Sequence, residues 1–116
     1  MKIPTELKFL NVQIHLDRLK PTIDPEDPNR LAHIAGSAEK CVRSSGTLVS
    51  CRRTTRTSLD LTFSTDNPVD LWEWLEAFLK HMKLGKATIV VCQGDHGWDD
   101  YLLLHHFDPA QELDKL

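Results

Sequence analysis

Glycine is scarce in this chain of 116 residues, at five, and none stands in a GxGxxG or GxxxxGK[ST] spacing. That excludes the backbone phosphate cradles those spacings build. Cysteine is scarcer still, at three: Cys41, Cys51 and Cys92, with no CxxC. An odd count argues against a closed disulfide framework, and three reduced thiols fit the cytosol. No apolar run exceeds four residues, and the start, Met1-Lys2-Ile3-Pro4-Thr5-Glu6, has no apolar h-region. Neither a membrane span nor a secretory signal is therefore expected. GxSxG and HExxH are also missing, so no hydrolase or zinc-protease motif supports an enzyme.

Positive charge is absent from two long windows. Residues 57–79 and 94–114 contain no Lys or Arg and together carry eleven acids. Residues 1–56 balance to +4 and residues 57–116 to −7, which sum to the net −3. Such asymmetry can steer a partner of opposite sign. What remains is ordinary globular composition, 41% hydrophobic and 27% charged. The length suits one domain, 1–116, burying roughly 65% of its unfolded surface.

Periodicity supplies the elements. Leu10, Val12, Ile14 and Leu16 alternate with Asn11, Gln13, His15 and Asp17, which predicts a strand over 7–19. Three prolines make 20–28 a loop. Leu31, Ile34, Ala35, Ala38, Cys41 and Val42 form a helical stripe after Asp27-Pro28, predicting a helix over 28–43, with a strand pair as the alternative. Residues 47–51 and 58–64 form two strands joined by the tip Arg52-Arg53-Thr54-Thr55-Arg56. A helix over 68–84 is capped by Asp66 or Asn67, begins at Pro68 and ends at Gly85. A strand over 87–93 follows, whose Ile89-Val90-Val91-Cys92 run suggests burial on both faces. Residues 94–99 make the turn, 101–107 the return strand, and the last seven a short helix or frayed tail. The order β-α-β-β-α-β-β predicts an α+β fold: about five antiparallel strands, two helices on one face, a ferredoxin-like plan, and a seventh element beside the fourth strand.

Three constellations could carry function. Asp95, His96, His105, His106 and Asp108 resemble metal ligands by type, but His105 and His106 are adjacent and diverge on a strand, so no metal or other cofactor is expected. Cys92 follows an apolar run and reads as core. Arg43, Arg52, Arg53 and Arg56 could touch phosphate, which makes a nucleic-acid or regulatory module the alternative function. The domain as a whole is acidic, so a basic protein is the favoured partner over nucleic acid. The third constellation is acidic and aromatic: Asp70, Glu73 and Trp74 on the second helix, then Asp95, His96, Trp98, Asp99, Asp100 and Tyr101 around the last turn. Trp and Tyr bury much area at little entropic cost where partners dock.

Size, acidity and the residues Asp70, Glu73, Trp74, Asp95, Trp98, Asp99 and Asp100 resemble, at class level, the small cytoplasmic immunity proteins of bacterial toxin–immunity pairs. The resemblance implies a non-enzyme that binds a cognate toxin nuclease. Its carboxylates would imitate the phosphate backbone against active-site Lys and Arg. Both tryptophans would anchor a single continuous patch.

Overall fold

A computed structural model describes residues 7–19, 28–55 and 58–116. Five strands, β1 (Lys8–His15), β2 (Thr47–Thr55), β3 (Ser58–Thr65), β4 (Thr88–Gly94) and β5 (Gly97–His105), form one antiparallel sheet. Two helices, α1 (Pro28–Val42) and α2 (Pro68–His81), complete it. The α+β class is as expected. The order across the sheet, β2-β3-β1-β4-β5, is not the order of strands along the chain: β1 lies at the centre, and β5 adds an edge beside β4.

Alternation decides which face is covered. Leu10, Val12 and Ile14 of β1 stand opposite Phe63, Leu61 and Leu59 of β3, and opposite Cys92, Val90 and Thr88 of β4. All nine are buried. All but Thr88 join one cluster with Leu31, Ile34, Ala38 and Val42 of α1 and Leu71, Leu75, Phe78 and Leu79 of α2. Both helices therefore cover this one face. Burying a side chain such as Leu10 or Ile14 contributes about 1.5–3 kcal/mol.

Several boundaries differ from the sequence expectations. β1 stops at His15, and Leu16–Leu19 turn as a 3-10 helix that buries Leu16 and Leu19 at the sheet's end. Of the predicted loop over 20–28, Pro28 opens α1, and residues 20–27 lie outside the described residues, as does Arg56. Arg52 and Arg53 are not a tip: they belong to β2, in register with Asp60 and Leu59. Trp98 and Asp99 are not turn residues but belong to β5, and the turn is reduced to Asp95-His96.

Helix α2 begins as expected. Asn67 Oδ1 accepts from the Asp70 N–H at 3.2 Å, and Pro68 fills the first position. It ends earlier than expected, and not at Gly85. Leu84 N donates to Leu79 O at 2.9 Å and Lys83 N to Lys80 O at 3.2 Å, with Lys83 left-handed at φ 57°. This is a Schellman closure whose apolar residue, Leu84, is fully buried.

Candidate partner-binding surface

Among the described residues no helix covers the second face of the sheet. Its rows follow from register: Ser50, Thr62, Asn11, Val91 and Leu103 in one, Arg52, Asp60, Gln13 and Ile89 in the next. The β2–β3 half is therefore polar and the β4–β5 half apolar. Burial of the Ile89–Cys92 run on both faces does not hold: Val90 and Cys92 are buried, while Ile89 and Val91 are half-buried on the open side.

The polar half is internally matched. Burial pushes the Asp60 carboxyl up, and the charges of Arg52 and His15 pull it back towards the ordinary range. Arg52, directly opposite Asp60 on the next strand, is thus committed partly to its own sheet.

The apolar half is shaped by an irregularity in β5. Gly94 pairs with Gly97, but Cys92 pairs with Leu102, so β5 accommodates the extra length of 98–101 as a bulge. Two glycines make this feasible. Gly97 is left-handed at φ 73°. A Cβ on Gly94 would lie 2.2 Å from Asp100 O and 2.7 Å from Asp100 Oδ1, so Asp100 folds over a position that tolerates no side chain. Asp100 Oδ1 accepts from the His96 N–H at 2.8 Å, and Oδ2 lies 3.2 Å from the His96 ring. Desolvation acts to raise the Asp100 carboxyl, but the bonds and charge from His96 hold it below the usual range.

The bulge leaves Trp98 43% and Tyr101 55% exposed beside the sheet. Two shallow hollows of about 440 and 500 Å³ adjoin there and share Gln13, Val91 and Trp98. Tyr101, Ile89 and Leu103 line one of them, and Phe9 and Asn11 the other. Asp99 is exposed on the bulge. Asp95 stands at the turn, its side chain 92% exposed and 3.8 Å from Lys8 Nζ, a surface pair contributing about 0–1 kcal/mol.

The expected site residues divide into two groups. Asp95, His96, Trp98, Asp99, Asp100 and Tyr101 gather at the β4–β5 turn. Asp70, Glu73 and Trp74 lie in the helix layer, on the other side of the sheet. Asp70 accepts from Ser45 Oγ, while Ser45 O accepts from Thr65 Oγ1 at 2.6 Å, so Asp70 ties the α1–β2 connection to α2. Trp74, 45% exposed, borders a groove of about 590 Å³ between α1 and α2 with His33, Lys40, Cys41 and His81. The single continuous patch expected from the sequence is therefore two surfaces, because one tryptophan rides a helix and the other a strand.

Phe9, Ile89, Val91 and Leu103 went unrecognised as surface residues. The available signal was the outward phase of β1 and β4, which an apolar run conceals.

The metal-like set does not assemble. Asp95 and His96 sit at the turn; His105 and His106 lie at the far end of β5. His105 Nε2 is bonded to Gly85 O at 2.8 Å, and His106 Nδ1 accepts from the Asp108 N–H at 2.9 Å. Among the described residues no three His, Cys, Asp or Glu side chains converge as metal ligands. Cys92 is buried and burial pushes its thiol up, away from the reactive thiolate.

The chain beyond β5 folds back. Asp114 Oδ2 accepts from Leu103 N, and Asp114 N donates to Leu103 O, both at 2.8 Å, so the tail is neither helical nor frayed there but pairs with the β5 edge. The Phe107 ring is held by Arg18, 4.0 Å above it, and by the edge of His15. No family model, curated protein or solved structure matches this chain.

Proposed function

We propose that this chain is a binding protein whose open sheet face receives a cationic protein, and that it serves as an immunity protein blocking a cognate toxin nuclease. One observation carries the proposal: Trp98 and Tyr101 stand exposed on a bulge beside Ile89, Val91 and Leu103, on a sheet face that α1 and α2 leave uncovered. Rigid aromatics around an apolar centre are the usual anchors of protein interfaces. Asp95 and Asp99 flank them and would speed capture of a basic surface without supplying most of the affinity. Trp74, Asp70 and Glu73 have no part in this interface. The cytoplasm is the matching location, and no cofactor is required. We also read the scaffold as a ferredoxin-like plan with an appended edge strand, supported by β1 lying between β3 and β4.

The test is co-expression with the toxin encoded in the neighbouring reading frame. Rescue of growth is expected, lost in Trp98→Ala/Tyr101→Ala and kept in Trp74→Ala, with affinity in the double variant falling by about 100-fold. Rescue that depends on Trp74 and ignores Trp98 would reject the open face as the docking surface. A neighbouring frame encoding no toxin would remove the immunity assignment.

A further inference from the structure

The acidic half of the chain holds four basic residues: Lys80, Lys83, Lys86 and Lys115. Three of them, Lys80, Lys83 and Lys86, line one hollow of about 250 Å³, closed by His105 and floored by Leu79 and Gly85. It lies where β4 begins and β5 ends, at the opposite end of that hairpin from Asp95 and Asp99.

The helix dipole does not explain the convergence. A cation in the last turn of α2 suits Lys80. Glu76, the one acid on the wall, stands four residues before Lys80, against the three lysines. Lys86 lies past the helix, in the 3-10 turn Gly85–Ala87. Lys83 occupies a left-handed position, φ 57°, which glycine adopts without strain. The Schellman closure that buries Leu84 imposes that conformation, and with it Lys83 lines the hollow beside Lys86.

The walls are built to stay in place. His105 Nε2–H donates to Gly85 O at 2.8 Å, which leaves Nδ1 as the ring's other polar atom. Arg18 Nε donates to Lys86 O at 3.0 Å and holds that turn against Leu16–Leu19.

We infer that this hollow is an anion site for a phosphate group, with Lys83 and Lys86 supplying the ammonium donors and Lys80 and His105 completing the wall. Its volume is below the roughly 300 Å³ at which organic-ligand pockets begin, so it fits one or two phosphates and not a whole nucleotide. It shares no residue with the proposed docking face and stands or falls separately from it.

The probe is inorganic pyrophosphate, titrated at constant ionic strength and followed by amide NMR. Saturable shifts are expected at Lys80, Lys83, Gly85 and Lys86. Lys86→Ala and Lys83→Gly should each weaken binding about threefold to tenfold, while Lys40→Ala leaves it unchanged. Lys83→Gly is decisive, because it should raise the unfolding temperature while lowering affinity, which separates loss of the ammonium from loss of the fold. Phosphatidylcholine vesicles containing phosphatidic acid distinguish sources: Lys86-dependent sedimentation assigns a lipid headgroup, and pyrophosphate binding alone assigns a soluble anion. Unsaturable shifts spread equally over Lys8 and Lys40, or unchanged affinity in Lys83→Gly/Lys86→Ala, would overturn the assignment.

Discussion

Gly97 and Lys83 share a left-handed backbone, with φ 73° and 57°, and stand at opposite ends of the β4–β5 hairpin. At the turn end, glycine adopts this conformation without a Cβ conflict, and the bulge bearing Trp98 and Tyr101 follows from it. At the other end a lysine adopts it at a cost of about 1–2 kcal/mol. There the conformation is imposed from outside, by the burial of Leu84. The same dihedral thus has a local cause in one place and a tertiary cause in the other.

The largest expected effect tests that tertiary cause. Leu84→Ala should destabilise the fold by about 2–5 kcal/mol in denaturant unfolding, because a fully buried leucine is lost and the turn is released. Next is Gly94→Ala, expected to cost about 1–3 kcal/mol and to shift the Trp98 and Asp100 resonances, since the new Cβ meets the Asp100 backbone. A smaller, reciprocal pair sharpens the comparison: Gly97→Lys should destabilise by roughly 1–2 kcal/mol, and Lys83→Gly should stabilise by about 1 kcal/mol. Equal and small effects at both positions would show that Lys83 carries no strain.

The smallest effect is a pH dependence at the turn. The Asp100 carboxyl is held below its usual range, so its stabilising contribution is present above an ordinary Asp value of about 3.9 and is lost as pH falls through the depressed one. The His96 amide shift should therefore titrate with a midpoint below about 3.9, and Asp100→Asn should abolish the step. A midpoint at or above that value would break the assignment of Asp100 as the clamp of the turn.

Much of this architecture was legible in the chain. The Asn67-Pro68 start of α2 and the alternation of β1 and β3 are local signals, and local signals were enough. Arg52 and Arg53 misled because a run of polar residues looks like a loop, whereas an edge strand tolerates it. Trp98 misled because its flanking glycines suggested a turn, whereas they serve a bulge. Leu103 and Val91 were hidden because an apolar run in a strand does not say which of its faces is covered.

The sequence by itself determined the α+β class, the helix after Asn67-Pro68 and the separation of acidic from basic segments, since each depends on residues only a few positions apart, while it left 28–43 open between a helix and a strand pair. Tertiary structure alone decided that Trp74 and Trp98 lie on different sides of the sheet and that Lys80, Lys83 and Lys86 meet His105. Those relations depend on β1 pairing with strands about 50 and 80 residues away, Leu10 with Phe63 and with Cys92. No periodicity reaches across such a distance, because the pairing is selected by burial of the whole shared face and not by any one segment.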